Sequence, residues 1–408
     1  MSSGPGADVL PFRATLDVLG DEGFRLFFPL AALHAALWPF LWVAAFGFGL
    51  PLAEAIPPGL WHAHEMIIGA FGAALIGFIT TAVPEWTDTE RLRGRVLFVL
   101  AGLWGAARVI GLVGAEALGV VGALCDLLWL GFLVGYLVRV SIAKRSTRLV
   151  AFIFWISCLL TAEAVTRYAF LDMEHAAELA DRFLHIAGFV FLGILGIALA
   201  RVTVPVTNLV LDPSQETSPF RPHPGRMNLA PGLVALLVVA EALGLSEPTT
   251  GYLLIAAGAA FMDRMAESFI GRDIVRAEIL ALAGASGFAG VGLMLMGASR
   301  LGFEFSPYAG LHLALMGGLG LGVLAVFSIA GLRHTGQALG LVRRTRLALS
   351  LLVLATLFRV VPEIFPTTLL PAPPFIAVSL LWAAAFLLWL RVYWPFFRDP
   401  VTIQHRDC

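Results

Sequence analysis

Four of the nine histidines in this chain have the setting of metal ligands: His62, His64, His185 and His312. Imidazole is the commonest nitrogen ligand for haem iron, copper and zinc, so a convergent set of histidines points to that chemistry first. His62 and His64 are two residues apart. A regular helix would aim them about 200° from each other. Either the turn after Pro57-Pro58 is irregular, or the two serve different centres. Glu65 and Met66 follow at i+3 and i+4 from His62, which predicts that they share its face. Glu65 could orient a ligand, carry a proton or bind metal itself, and is the candidate proton-handling, catalytic group.

Arginines form a second pattern. Arg108, Arg167 and Arg359 lie within apolar stretches. A guanidinium matches a carboxylate in shape and charge, so the three could clamp an anion such as a porphyrin propionate. Glu163–Arg167 and Arg359–Glu363 are also i, i+4 pairs that could simply neutralise each other, whereas Arg108 has no such partner on its own helix. Asp126, Glu163 and Glu241 could form a proton route or tie helices together. His34 is expected in the inner half of the first span, with a structural role.

The elements that must position these groups follow from composition. Of 408 residues, 59% are hydrophobic and 13% charged, too few charges to cover a water-soluble chain of this length. Mean hydropathy is +0.87, and the apolar residues come in blocks of the length needed to cross a bilayer. Spans are expected near 25–49, 60–83, 95–115, 118–139, 149–170, 182–204, 229–245, 250–270, 277–298, 308–331, 346–366 and 374–395. The fold class is an all-α membrane protein, a single bundle of about twelve transmembrane helices. It divides into an N-terminal segment (1–23), a first six-helix half (24–210), a Pro-rich linker (211–228), a second half (229–398) and a tail (399–408). No cleavable leader is readable in 1–23, so the first block is expected to be a retained helix. Net charge is −1, which gives no field for nucleic acid. Cys125, Cys158 and Cys408 make neither a disulfide framework nor a CxxC site, and the first two read as small apolar helix residues. The small-residue run Gly317-Gly318-Leu319-Gly320-Leu321-Gly322 is better explained by close helix packing than by phosphate binding.

Basic residues alternate between connections. One set carries Arg91, Arg93 and Arg95; Lys144, Arg145 and Arg148; Arg221 and Arg226; Arg272 and Arg276; Arg333, Arg343, Arg344 and Arg346; and Arg398 and Arg406. The other is neutral or acidic, with Glu54, Glu116, Asp172, Glu174, Glu178, Asp181 and Glu247. The positive-inside rule then predicts both termini in the cytoplasm. That orientation turns sequence position into depth. His62, His64, His185 and His312 all fall early in outside-to-inside helices, in the outer part of the membrane. Arg108, Arg167 and Arg359 fall near the same layer. His334 lies 22 residues after His312, roughly 33 Å along a straight helix, and is excluded from it.

The block Leu60-Trp61-His62-Ala63-His64-Glu65-Met66, then Gly77-Phe78 and Thr80-Thr81-Ala82-Val83-Pro84-Glu85-Trp86-Thr87, resembles the signature of the NnrS family. Phe24-Arg25-Leu26-Phe27-Phe28 and His334-Thr335-Gly336 look like that family as well. The resemblance implies a haem- and copper-containing protein of the bacterial inner membrane, acting in the nitric oxide and nitrosative-stress response. On it the expectations become concrete. Four histidines suffice for one haem axial ligand plus three copper ligands, or for a bis-histidine haem with a two-coordinate copper; His185 and His312, on separate long helices, are the haem-ligand candidates, and His62 and His64 the copper candidates. Arg108, Arg167 and Arg359 would meet the porphyrin carboxylates. No CxxCH is present, so any haem, of b type, is non-covalent. The partners expected are the bilayer, nitric oxide or a related nitrogen oxide, and a donor such as quinol. The rival classes are a non-catalytic scavenger or sensor and a transporter.

Overall fold

A computed structural model describes residues 11–48, 55–304, 306–365 and 373–403. Glu54, His405, Arg406 and Cys408, which entered the charge and cysteine readings, lie outside the described residues, as do 1–10 of the N-terminal segment. Among the described residues the chain is helical throughout, with no strand. An apolar segment in lipid has to satisfy its backbone internally, and a helix does so within one segment.

Helices α1 (Phe12–Leu19) and α2 (Gly23–Phe48) open the chain, followed by α3 (Pro58–His64), a π-helical stretch Glu65–Phe71 and α4 (Gly72–Thr87). Helices α5 (Arg95–Leu112), α6 (Gly119–Ala143), α7 (Val150–Phe170) and α8 (Met173–Leu211) complete the first half. The second half holds α9 (Arg226–Leu243), α10 (Glu247–Arg264), α11 (Ala277–Arg300) and α12 (Pro307–His312). It continues through a second π-helical stretch, Leu313–Gly320, into α13 (Leu321–Arg333), then α14 (Arg343–Ile364) and α15 (Phe375–Phe397).

Eleven of these paths are long and apolar enough to cross a membrane. The twelfth expected span, 250–270, is present as α10, packed between α9 and α11, but its 18 residues include Glu247, Asp263 and Arg264. The eleven are not equivalent. The most apolar windows of Pro58–Thr87 and Met173–Leu211 are each 89% buried and that of Pro307–Arg333 is 72% buried, against 28% for Arg95–Leu112. These three form the centre, and the others wrap them. The first and last helices close the ring: Trp382 donates to the Ala35 carbonyl at 2.9 Å, and Arg25 donates to the Phe397 carbonyl at 3.1 Å.

Small residues permit the close crossings, as the sequence suggested. A Cβ on Gly258 would lie 2.5 Å from the Gly290 carbonyl oxygen, and one on Gly318 would lie 2.8 Å from the Ala289 backbone nitrogen. Packing of backbone on backbone is how membrane helices associate without a hydrophobic driving force.

Candidate functional site

Two of the three central helices share an unusual local design. Each starts on proline, at Pro57-Pro58 and at Pro307, where the fixed φ and missing N–H suit the first turn. Each then carries a histidine four residues before a methionine, His62–Met66 and His312–Met316, and winds into a π-helical stretch. Such stretches are rare and concentrate at functional sites because they release a helix carbonyl and rotate the residues around it. Here the Gly69 carbonyl, within the first stretch, accepts from Trp104 Nε1 at 2.9 Å.

The two helices and α8 enclose a cavity of about 430 Å³, within the ~300–1,000 Å³ range usual for cofactor and ligand sites. His62, His185 and His312 all line it, with Met66, Met316, Trp42, Trp382 and Arg359. His185 Nδ1 lies 2.9 Å from the Asp181 carbonyl and His312 Nδ1 lies 2.8 Å from the Tyr308 carbonyl. A carbonyl only accepts, so Nδ1 donates in both rings and Nε2 keeps its lone pair. Metal-ligating histidines are held in this way by a second hydrogen bond. His62 Nδ1 is buried and meets no hydrogen-bond partner, with the Trp42 ring at 5.0 Å. Arg359 is bonded to Glu363 and lies over the Phe375 ring at 5.4 Å. Three imidazoles, two thioethers and a guanidinium around one largely apolar space are donors of the kinds that haem iron, a soft metal ion and a carboxylate take.

His64 points elsewhere. Its Nδ1 lies 3.2 Å from Glu65 Oε1 and its Nε2 3.0 Å from Glu163 Oε1, and both carboxylates are buried. Glu163 accepts from Arg167 Nε at 2.8 Å. Arg167 and Arg108 both bond to Asp126, which also accepts from Trp129 at 2.9 Å. Arg108 Nε returns to Glu65 at 3.2 Å, closing a ring of buried charges. A potential metal-ligand set, His64, Asp126 and Glu163, lies within this ring. Its carboxylates are already taken up by two guanidiniums, which leaves a cation little to bind.

The structure thus brings His62, His185, His312 and Arg359 together, and holds His64, Glu65, Arg108 and Arg167 apart from them. The two adjacent histidines serve different places, as their angular separation allowed. Arg108 has no partner on its own helix, as expected; its partners, Asp126 and Glu65, stand on other helices, where spacing along its own helix could not show them. Two expectations are corrected. Glu65 faces the network rather than sharing the cavity with His62: it lies about 60° to one side of His62 around the helix, and Met66, which does line the cavity, lies about 40° to the other. His34 reaches the same depth as Glu65, 3.2 Å from its Oε2, through the gap left by Gly69, where a Cβ would sit 2.5 Å from the imidazole. His334 lies far from all of these, 3.1 Å from Glu85. The pairing of His62–Met66 with His312–Met316 was present in the sequence as a repeated His-x-x-x-Met spacing.

Fold and site together define a multi-pass membrane protein with a histidine-lined cavity beside a buried ion network. The NnrS protein family model matches residues 18–400, nearly the whole length, and the chain belongs to that family. No curated protein matches it.

Proposed function

We propose that this protein is a haem- and copper-binding protein of the bacterial inner membrane that binds nitric oxide and turns it over. The observation that carries the reading is the single cavity in which His185 and His312 each have Nδ1 tied to a carbonyl four residues back while His62 has a buried, unpartnered ring nitrogen. His185 and His312 would hold a b-type haem from separate helices. Arg359 would meet a propionate, with Glu363 fixing the guanidinium. His62, with Met66 and Met316, offers the imidazole and thioether donors that suit copper(I). When bound, the two metals supply centres that hold nitric oxide and exchange electrons with it, drawing on a donor such as quinol.

The chain's own contribution beyond ligation lies behind the cavity wall. Glu65, Asp126 and Glu163 carry three negative charges against the two guanidiniums of Arg108 and Arg167, so one proton shared with His64 or His34 makes the buried set neutral. Glu65 is the member on the cavity's own helix, and we assign it the proton-handling role. The charge pattern of the connections supports an orientation with both termini in the cytoplasm, in which the cavity would lie toward the periplasm. Anaerobic addition of nitric oxide to the purified, reduced protein tests this. Loss of many equivalents per protein supports turnover. A spectral change with at most stoichiometric loss reduces the function to binding, and protein that carries neither iron nor copper overturns the assignment.

A further inference from the structure

The histidine-lined cavity is the first of three in a row. A second, of about 60 Å³, shares Phe71 with it. A third, of about 230 Å³, shares Phe28, Phe78 and Val326 with the second and reaches Glu85, Arg333 and His334 at the opposite end of the bundle. Each of the three central helices faces this row along its whole length. On the first, Met66, Phe71, Ala74, Phe78, Ala82 and Glu85 recur at the three-to-five-residue spacing of one helix face. The stripe Met316, Leu319, Val323, Val326, Ala330 and Arg333 does the same on the last, and Leu184, Phe191, Ala198 and Pro205 mark it on α8. One cavity under one wide site would need no such register. Three helices holding it over about twenty residues describe a shaft.

We infer that this row of cavities is a conduit that carries a small uncharged molecule between the His334 end of the bundle and the histidine-lined cavity. The lining selects the passenger. Every residue around the middle cavity is apolar, while a buried water needs two to four polar partners. Ions and protons therefore find no carrier there, and a dry apolar void of this kind takes up weakly polar gases. The mouth is different. Glu85 and His334 pair with each other, and Arg201 lies over the Trp86 ring at 4.5 Å, so its charges are engaged rather than offered to a ligand. The aromatic rings at the two junctions are the narrow points: Phe71 lies 6.1 Å from Phe191, and Phe28 stacks on Phe327 at 4.1 Å. The stacked pair is in van der Waals contact, so passage needs a ring to swing aside, and a dissolved diatomic gas is small and apolar enough to follow that motion. The molecule delivered rests on the function proposed above, but the conduit itself does not.

Xenon is a probe that needs no metal. In detergent-solubilised full-length protein, ¹²⁹Xe saturation-transfer NMR should show a saturable exchanging site. Ala74→Phe and Ala198→Phe fill the middle cavity from two different helices, and each should lower that signal about tenfold or more, a change of one power of ten in binding. In haem-loaded protein, both variants should also slow carbon monoxide association after flash photolysis by about tenfold, with an unchanged haem spectrum. Phe78→Ala should move both readouts the opposite way. A wild-type protein without saturable xenon binding, or filled variants with unaltered carbon monoxide association, would overturn the conduit. Protein that binds xenon as expected but no haem would sink the proposed function and leave the conduit standing.

Discussion

His62 and His64 sit two residues apart on one helix and live in opposite chemistries. On the His62 side, imidazoles face open space with ring nitrogens left over, and each hydrogen bond that exists fixes a tautomer. On the His64 side, every buried charge is answered by another at 3.2 Å or less. The first arrangement leaves donor atoms facing a cavity. In the second, opposite charges stand against one another, although Arg108 Nη1 has no hydrogen-bond partner, and its cost of desolvation is offset only while all its members are present. Ionisable groups inside a membrane helix are therefore not one kind of evidence. What separates a ligand site from a structural network is whether the polar groups face a cavity or face opposite charges.

The sharpest break of this comparison is at Asp126, which joins the two arginines. Asp126→Ala should strip both guanidiniums of a buried partner and destabilise the protein by about 3–5 kcal/mol, read as a fall in thermal midpoint in detergent. An unchanged midpoint would mean the network does not hold the fold. At Arg359 the effect should be smaller and of another kind. Arg359→Ala should weaken haem retention by about tenfold with little change in midpoint, measured by haem transfer to an acceptor protein. If the midpoint falls and haem stays, Arg359 belongs with the network group.

The smallest effect lies outside both regions. Asp212 accepts hydrogen bonds from Ser214 and Thr217, which pull its carboxyl down to about 2. A depressed carboxylate contributes stability that is present above the unfolded pKa of ~3.9 and lost as pH falls through the folded value. Pepsin cleavage of the 212–225 connection should therefore rise between about pH 4 and pH 2. In Asp212→Asn it should be high throughout, with haem content untouched. Cleavage independent of pH in the wild type would remove the turn from the account.

Much of the frame was legible in the sequence because lipid leaves the backbone few choices. Long apolar blocks become helices, and their boundaries matched to within a few residues for spans such as 149–170, found as Val150–Phe170. The common depth of His62, His185 and His312 was legible too, since depth follows from position in a span. Contacts across helices were not. Arg108 looked unpaired because Asp126 and Glu65 stand on other helices, and no spacing rule reaches them. The π-helical stretches after His64 and His312 were hidden for a different reason. Local winding depends on tertiary demands such as the bond from Trp104 to Gly69, which composition does not encode. His34 was misplaced in depth because the axial offset between neighbouring helices is set by packing at Gly69, not by where each apolar block begins.

On the proposed function, one face of the helix that carries His62 and His64 binds metal and the other holds charge. Replacing His62, His64, His185 and His312 by alanine one at a time, and counting iron and copper per purified protein, tests it most directly. The account predicts loss of iron in His185→Ala and His312→Ala, loss of copper with iron kept in His62→Ala, and both metals kept in a less stable His64→Ala. Metal loss in His64→Ala at full stability, with His185→Ala and His312→Ala still carrying iron, would contradict it.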